Sequence, residues 1–352
     1  MSPNPFLGVI LHAIGGFAAG SFYIPFKSVR KWSWESYWLV GGVFSWIIAP
    51  WLAAWAIVPN LWQVLRAAPP GNLFWTYLFG VLWGIGGLTF GLSMRYLGLS
   101  LGYAMALGFC AAFGTIVPPV FSGEITTLAT LISGQLTLGG VFVCLAGIAI
   151  CAMAGMMKEK ELPPNEKTAT IREFSFAKGV WVATFAGLMS ACMAFVFAAG
   201  KPIGTLAVRH GTPPLWQNLP ILVVGLLGGF SSNFIWCMYL NFKNGSLRDY
   251  IDGGGASLLS NYSFAALAGI TWYLQFFFFG MGKTKMGRYD FSSWTIHMAF
   301  IIVFSNLWGI RFHEWKGVTR PVMARVWIGI VVLILSTVVI GLGNYLAPSQ
   351  PG

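Results

Sequence analysis

Apolar residues in this chain are gathered into about ten blocks of roughly twenty residues, separated by short polar segments. A helix of about twenty residues spans the roughly 30 Å hydrocarbon layer of a bilayer. Membrane β-barrels are disfavoured, because their strands alternate apolar and polar positions and these runs are unbroken. The pattern therefore predicts an all-α integral membrane protein with ten transmembrane helices. We expect these helices near residues 7–26, 38–58, 73–95, 100–120, 135–157, 179–200, 215–240, 258–281, 290–312 and 323–346.

Composition narrows the classes of function. Of 352 residues, 57% are hydrophobic and only 9% are charged, with a mean hydropathy of +0.72. Ten helices leave no room for a nucleotide-binding domain, and the sequence contains no phosphate-binding loop of the Gly-x-x-x-x-Gly-Lys-Ser/Thr type. The four histidines are dispersed, and the five cysteines lie in apolar blocks without metal-ligand spacing. We therefore expect a membrane protein that is not an enzyme and holds no metal or cofactor.

The charge distribution predicts topology. The net charge of +11 would suggest nucleic acid in a soluble protein, but here it is typical of basic cytoplasmic loops, so no nucleic-acid partner is expected. Most lysines and arginines fall in the odd-numbered loops, which places both termini outside the cytoplasm, although the basic run 283–288 opposes this orientation. The polar stretch 158–178 is predicted to be a central cytoplasmic linker between two five-helix parts, residues 1–157 and 179–352.

A possible internal duplication links the two parts. Four residues of the third span and its exit loop match four residues of the eighth span, with identical spacing: Gly80, Trp83, Gly91 and Gly98 against Gly269, Trp272, Gly280 and Gly287. Because five helices per repeat is an odd number, two such repeats have opposite orientations in the membrane. Inverted repeats are typical of transporters that alternate access to a central site. The duplication therefore favours transport over a channel or a membrane enzyme.

Two acidic residues lie near the predicted membrane interior. Asp290 is at the mouth of span nine, where an α-helix would place it on one face with Trp294 and His297. A carboxylate in such a position can bind and release a proton. An N-cap role for Asp290 is the alternative. His297 is either a proton relay or a structural histidine. Glu35 precedes span two and is a further proton-coupling candidate, or else an ion-pair partner of Lys31.

Other polar and aromatic residues in the blocks are candidates for binding a substrate. Gln275 stands between aromatic residues, Trp272 and Tyr273 on one side and four phenylalanines on the other, so it could hold a hydroxylated ring, or else form an interhelical hydrogen bond. Lys27 and Lys201 end spans one and six, where they either reach the headgroups or pair with a buried acid. The remaining candidates are His12, Tyr23 and Trp294.

Several of these residues stand in longer motifs that resemble the L-rhamnose–proton symporter family of the drug/metabolite transporter superfamily. The motifs are Lys31-Trp32-Ser33-Trp34-Glu35, Met94-Arg95-Tyr96-Leu97-Gly98, Trp272-Tyr273-Leu274-Gln275-Phe276-Phe277-Phe278, Tyr289-Asp290, Ser293-Trp294 and His297-Met298. The resemblance runs from about His12 to Pro321. It implies a ten-helix protein of the bacterial inner membrane that imports a sugar together with a proton.

Two departures from the family pattern bear on the choice of sugar. Gly87 and Ala198 stand where the pattern has asparagine, and amide side chains are a common means of fixing sugar hydroxyls. We therefore expect a proton symporter for L-rhamnose or a related deoxy-sugar or monosaccharide that works by alternating access. The alternatives are a metabolite exporter or exchanger and a sodium-coupled carrier. From another class, a membrane sensor would need an output domain that the predicted spans leave no room for.

Overall fold

The computed structural model describes residues 3–97, 99–121, 123, 125–161, 176–252 and 257–347. Within these residues the fold is entirely helical, without strands. The α-helices are α1 (Pro5–Ser21), α2 (Tyr23–Phe26), α3 (Trp34–Gly42), α4 (Ala49–Ile57), α5 (Leu61–Ala67), α6 (Pro70–Leu97), α7 (Leu99–Phe121), α8 (Ile125–Thr130), α9 (Ile132–Glu161), α10 (Phe176–Arg209), α11 (Leu219–Asn244), α12 (Asp249–Asp252), α13 (Leu258–Lys285), α14 (Ser293–Arg311) and α15 (Arg320–Tyr345). A π-helical segment, Val43–Ile48, joins α3 to α4, and short 3₁₀ segments cover Pro214–Trp216, Ser246–Arg248 and Gly287–Ser292.

Nine helical stretches among the described residues are long and apolar enough to cross a membrane. They coincide with nine of the ten predicted spans. The remaining predicted span, 100–120, falls within α7, where the apolar stretch Met105–Val120 is shorter. Most of the predicted central linker lies outside the described residues. The prediction for Lys201 was wrong in one respect: it does not end its helix, because the membrane candidate Ala177–Arg209 continues beyond it through Pro202.

The chain divides into two compact units, each assembled from separate parts of the sequence. Unit 1 comprises Met1–Phe17, Gly86–Ala194 and Met281–Gly352, and unit 2 comprises Ala18–Ile85 and Phe195–Gly280. The division falls inside four long helices, α1, α6, α10 and α13. Those four are the first and third spans of each predicted half, so both halves of the sequence contribute in the same way to each unit.

Unit 1 is built on a long contact between α9 and α15. Small residues allow the two helices to approach closely, as Gly140 lies against Ile340, Gly147 against Leu333, and Gly343 against Thr137. No Cβ could be added at these glycines without moving the facing helix. Helix association in lipid depends on such close packing, because lipid tails are as apolar as the side chains they would replace.

Unit 2 contains a comparable set of close helix contacts. Gly80 of α6 packs on the backbone of Gly225 in α11, and Gly269 of α13 packs on the backbone of Gly41 in α3. A buried cluster of Phe26, Trp32, Val40, Ala265 and Ala268 fills the space beside the second contact. In two pairs of helices, α6 with α11 and α3 with α13, the backbones are thereby in direct contact.

An exposed carboxylate of unit 1 stabilises the start of α15. Glu161 accepts hydrogen bonds from the Thr319 hydroxyl at 2.6 Å and from the Thr319 backbone N–H at 2.9 Å, and Thr319 is the N-cap residue of α15. These donors lower the pKa of Glu161. Because the folded-state pKa is depressed, the stabilisation is present above the unfolded pKa and is lost as the pH falls through the folded value.

We therefore expect Glu161→Gln to lower the thermal unfolding midpoint at neutral pH and to have little effect at acidic pH. Thermal melts of purified protein in detergent would measure both values. The exposed Asp252→Asn is a matched control that should leave the midpoint unchanged. Equal midpoints for Glu161→Gln and the unsubstituted protein at neutral pH would contradict the capping role.

Candidate functional site

Unit 1 contains two fully buried histidines from distant parts of the sequence. His12 of α1 and His297 of α14 are both inaccessible to solvent, and their ring centroids are 6.3 Å apart at an interplanar angle of 61°. Gly282 of α13 lies directly against the His12 ring, where no side chain would fit. Three helices thus meet around a pair of buried imidazoles.

Asp290 forms an ion pair near this histidine pair. Its Oδ2 lies 2.7 Å from Lys283 Nζ, with side-chain exposures of 37% for the aspartate and 16% for the lysine. Lys283 is near the end of α13, one residue after Gly282, and is close enough to interact electrostatically with His12. Asp290, Lys283, His12 and His297 therefore form a series of titratable groups that runs from a half-exposed carboxylate to a buried imidazole.

The turn that carries Asp290 is not the regular helix start that the sequence suggested. Asp290 lies in the 3₁₀ segment Gly287–Ser292, where Tyr289 has a non-helical backbone, and α14 begins only at Ser293. The prediction that Asp290, Trp294 and His297 share one helix face assumed an α-helix from Asp290 onward, and Asp290 lies outside that helix. Trp294 and His297 are neighbours, with ring centroids 6.4 Å apart, and both are buried.

Hydrogen bonds from neighbouring helices hold the Asp290 turn and the start of α14 in place. The Trp294 indole N–H donates to the Cys110 carbonyl at 3.1 Å, and the hydroxyls of Thr295 and Thr115 lie 2.6 Å apart. Asn344 donates to the Ser292 hydroxyl at 2.9 Å. These contacts hold the backbone that directly follows Asp290.

Unit 2 contains an aromatic cluster around Trp272. The ring centroid of Trp272 lies 5.6 Å from that of Trp46, 5.5 Å from that of Trp83 and 5.2 Å from that of Phe276. Tyr273 and Gln275, on the same helix, are buried. Faces and edges of aromatic rings beside an amide are well suited to a ring that has both hydroxyl groups and apolar C–H surfaces.

Glu35 is buried in a second polar network of unit 2. It lies in the first turn of α3, where its Oε1 accepts from Asn244 Nδ2 at 2.9 Å and from Ser246 Oγ at 2.7 Å. Asp249 accepts from the hydroxyl of Ser36 at 2.7 Å in the same network. The hydrogen-bond partners of Glu35 are thus neutral donors, whereas the sequence had suggested an ion pair with Lys31. Glu35 and Asp249 thus lie in one hydrogen-bonded network.

The remaining predicted residues lie apart from these clusters. Tyr23 is 49% exposed and packs on Phe22, with ring centroids 4.4 Å apart. Lys27 follows α2 and is exposed, as is Lys201 within α10. The predicted residues therefore divide by unit, with Asp290, His297, His12 and Trp294 in unit 1 and the rest in unit 2: Glu35, Gln275, Trp272, Tyr273, Tyr23, Lys27 and Lys201.

Three participants were missed in the sequence. Lys283 stood in the basic run that opposed the predicted orientation, and its spacing from Asp290 could have indicated an ion pair across a turn. Asp249 gave no signal in the sequence, because nothing local connects it with Ser36, 213 positions earlier. Trp46 carried no signal beyond its residue type. In the part of the chain that the structure describes, no group of histidine, cysteine, aspartate or glutamate could hold a metal ion.

Comparison with known proteins identifies one family. The family model for the L-rhamnose-proton symport protein matches residues 1–346. A protein of Yersinia pestis (strain Pestoides F) named L-rhamnose-proton symporter is 38% identical over 340 residues, which are 96% of this chain and 97% of the relative. A protein of the same name from Cronobacter sakazakii (strain ATCC BAA-894) shows the same identity and coverage.

Proposed function

The chain belongs to the L-rhamnose–proton symport family, and on this basis we propose that it imports a sugar together with a proton. The substrate we propose is L-rhamnose or a related deoxy-sugar or monosaccharide. The observation that carries the proposal within the structure is the series of titratable groups Asp290, Lys283, His12 and His297, which begins at a half-exposed carboxylate and ends at a buried imidazole. A carrier that dissipates a sugar gradient needs no such series.

We assign the coupling proton to Asp290. In its ionised form Asp290 is paired with Lys283, and binding of a proton removes the negative charge and therefore the attraction between the two. The ion pair is thus present when the carrier has no proton bound at Asp290 and absent when the proton is bound. His297 is the proposed relay, because its ring is close to His12, which interacts electrostatically with Lys283. Glu35, which shares a network with Asp249, is a secondary proton-binding candidate.

The sugar-binding residues we propose include Trp272, Tyr273 and Gln275 of α13. Trp272 and Tyr273 offer apolar ring surface, and the buried amide of Gln275 can hydrogen-bond to hydroxyl groups. The other proposed contacts are Trp294, His12, Tyr23, Lys27 and Lys201. Because a neutral sugar carries no charge of its own, its accumulation requires a coupled ion, which we propose is the proton. Each 100 mV of membrane potential supplies about 2.3 kcal/mol per charge moved, enough for about fifty-fold accumulation.

We further propose ten transmembrane helices arranged as two inverted five-helix repeats of the drug/metabolite transporter type. Two observations support this symmetry. Trp83 and Trp272, which the duplication equates, contact each other. Their companions also make equivalent contacts, since Gly80 of the third span packs on the seventh and Gly269 of the eighth packs on the second. Exchanging the two repeats converts one of these contacts into the other, and inverted repeats are the usual basis of alternating access.

The proposed location is the bacterial inner membrane, with both termini in the periplasm. In this orientation the loop after α13 faces the periplasm. Lys283 and Asp290, which flank that loop, then lie at the periplasmic side of the membrane. A proton can therefore reach Asp290 from the periplasmic side, which is the side from which an importer loads.

The identity of the sugar can be tested at Gly87. A Cβ at this exposed position would meet no other atom within 4 Å, so Gly87→Asn should fold normally and would restore the amide of the family pattern. We expect this variant to raise the preference for L-rhamnose over L-fucose by about tenfold, the contribution of one hydrogen bond to a sugar hydroxyl. Competition between labelled rhamnose and unlabelled sugars would measure it. Gly139→Asn, also at an open position of a membrane helix, is the matched control.

Uptake into membrane vesicles tests the proposed function. Labelled L-rhamnose, L-fucose and D-glucose would be supplied with an inward proton gradient, with an inward sodium gradient, and with neither. We expect accumulation of at least one of the three with the proton gradient alone. Accumulation with sodium alone would support the sodium-coupled alternative, and gradient-independent equilibration would show that the protein is not a symporter.

A further inference from the structure

A π-helical segment joins α3 to α4 inside the membrane-crossing stretch Trp34–Ile57 of unit 2. It covers Val43–Ile48, and Pro50 follows it within the first turn of α4. Proline has no backbone N–H, so Pro50 cannot donate to the carbonyl of Trp46, four residues earlier. The helix widens at this point instead of closing a regular turn. Such π segments are rare and frequently occur at functional sites.

Trp46 lies in the middle of this segment with an unused hydrogen-bond donor. Its side chain is 3% exposed, and the indole nitrogen has no hydrogen-bond partner among the described residues. The six-membered ring of Trp46 lies over Gly42, where a Cβ would not fit. An indole N–H buried without an acceptor costs free energy, so it calls for a specific explanation. Tyr273 presents a second case, since its buried hydroxyl also lacks a partner among the described residues.

The surroundings of Trp46 are aromatic and uncharged. Trp83 and Trp272 meet the Trp46 ring at interplanar angles of 86° and 90°, with ring centroids 6.2 and 5.6 Å away. The cleft beside Trp46 is lined by residues that the structure describes, and none of them carries a charge: Phe22, Phe26, Trp38, Gly41, Gly42, Ser45, Ala268, Gly269 and Trp272. A ligand in this environment would be neutral, with apolar surface for the rings and a polar group for the indole.

On the basis of the proposed function, we propose that the indole N–H of Trp46 donates a hydrogen bond to one hydroxyl of the transported sugar, while Trp83 and Trp272 contact its C–H surfaces. Contact of the indole edge with an aromatic face is a weak substitute for a hydrogen bond to oxygen. The indole N–H therefore forms a stronger hydrogen bond with a sugar hydroxyl than with the faces of the neighbouring rings. Trp46 is then a binding residue that distinguishes one hydroxyl position from the others.

The cleft is closed in this conformation. It has room for about one water molecule, far less than a monosaccharide needs. The close contact of Gly41 with Gly269 holds α3 against α13 at this point. The sugar therefore enters only when α13 moves away from the π segment, and the widened helix turn at Trp46 is the part of α3 and α4 best able to adjust.

The experiment is a binding cycle between the side chain at position 46 and the hydroxyls of the sugar. Affinities of purified protein for L-rhamnose and for its 2-, 3- and 4-deoxy analogues would be measured by calorimetry, without any ion gradient. We expect Trp46→Phe to bind rhamnose about tenfold more weakly. One analogue should bind the unsubstituted protein about tenfold more weakly than rhamnose does, whereas Trp46→Phe should bind that analogue and rhamnose almost equally. Replacement of Trp46 by 3-benzothienylalanine, which keeps the shape and removes only the N–H, should give the same result even if Trp46→Phe folds poorly.

The control is Trp55→Phe, because Trp55 is 72% exposed on α4 and should not affect sugar affinity. If the unsubstituted protein binds rhamnose but every analogue loses the same factor with and without the indole N–H, the role of Trp46 is refuted while the proposed function stands. If the unsubstituted protein neither binds nor accumulates any of the sugars, the proposed function fails and the role of Trp46 fails with it.

Discussion

Vesicles that contain the Asp290→Asn variant are expected to exchange labelled rhamnose across the membrane but not to accumulate it. Asparagine is nearly isosteric with aspartate and resembles its protonated form, which has no attraction for Lys283. The variant is therefore held permanently in the loaded state. Exchange needs only loaded carriers and persists, whereas net accumulation needs the unloaded return and is lost. With about fifty-fold accumulation available per 100 mV, we expect the accumulation ratio to fall to about one.

Two controls make this result specific. Asp252→Asn removes an exposed carboxylate from α12 and should accumulate sugar like the unsubstituted protein. Lys283→Gln leaves Asp290 without its partner, so it should change the pH dependence of uptake rather than abolish accumulation. Unimpaired accumulation by Asp290→Asn would show that Asp290 does not carry the coupling proton, and Glu35 would then be the remaining candidate.

Replacement of Glu35 by alanine is expected to destabilise the protein, whereas replacement by glutamine is not. Alanine removes the acceptor of the buried Ser246 hydroxyl and of the Asn244 amide, which costs about 2 kcal/mol. Glutamine keeps an acceptor oxygen in the same place. Thermal melts should therefore show a lower midpoint for Glu35→Ala and a nearly unchanged midpoint for Glu35→Gln.

Transport by the glutamine variant tests the second proposed role of the same residue. Glu35 shares a hydrogen-bond network with Asp249 and is our secondary proposal for a proton-binding residue, and glutamine leaves Asp249 as the only carboxylate of the pair. We therefore expect Glu35→Gln to accumulate sugar to a lower ratio than the unsubstituted protein. Full accumulation by a stable Glu35→Gln would make Glu35 a purely structural residue, and equal melting midpoints for both variants would refute the structural role.

Hydropathy predicted the membrane helices well, because the length of an apolar block is set by the thickness of the bilayer. The boundaries were less predictable. α3 begins at Trp34 and so includes Glu35, which the sequence placed before the helix. α10 runs through Lys201 and Pro202, although a proline in a helix usually marks a break or a kink. In lipid the cost of an unpaired backbone favours continuing the helix, and sequence periodicity does not report this.

The candidate site was predictable only in its members. The scarcity of charge singled out Asp290, and residue type singled out His12, His297 and Trp272. Their spatial relations depend on contacts between helices hundreds of residues apart, as in the pairing of His12 with His297. The ion pair with Lys283 depends on the 3₁₀ turn of Gly287–Ser292, which replaced the expected α-helical start. The π-helical segment at Trp46 follows from Pro50 only once the helix around it is known.

The most direct test of proton-coupled sugar import is the movement of protons caused by sugar alone. L-Rhamnose would be added to lightly buffered, de-energised vesicles while the external pH is recorded. We predict that the medium becomes more alkaline as sugar enters, that the change ends when the sugar gradient has dissipated, and that Asp290→Asn vesicles give no change. Entry of labelled rhamnose without any change in external pH would contradict the account.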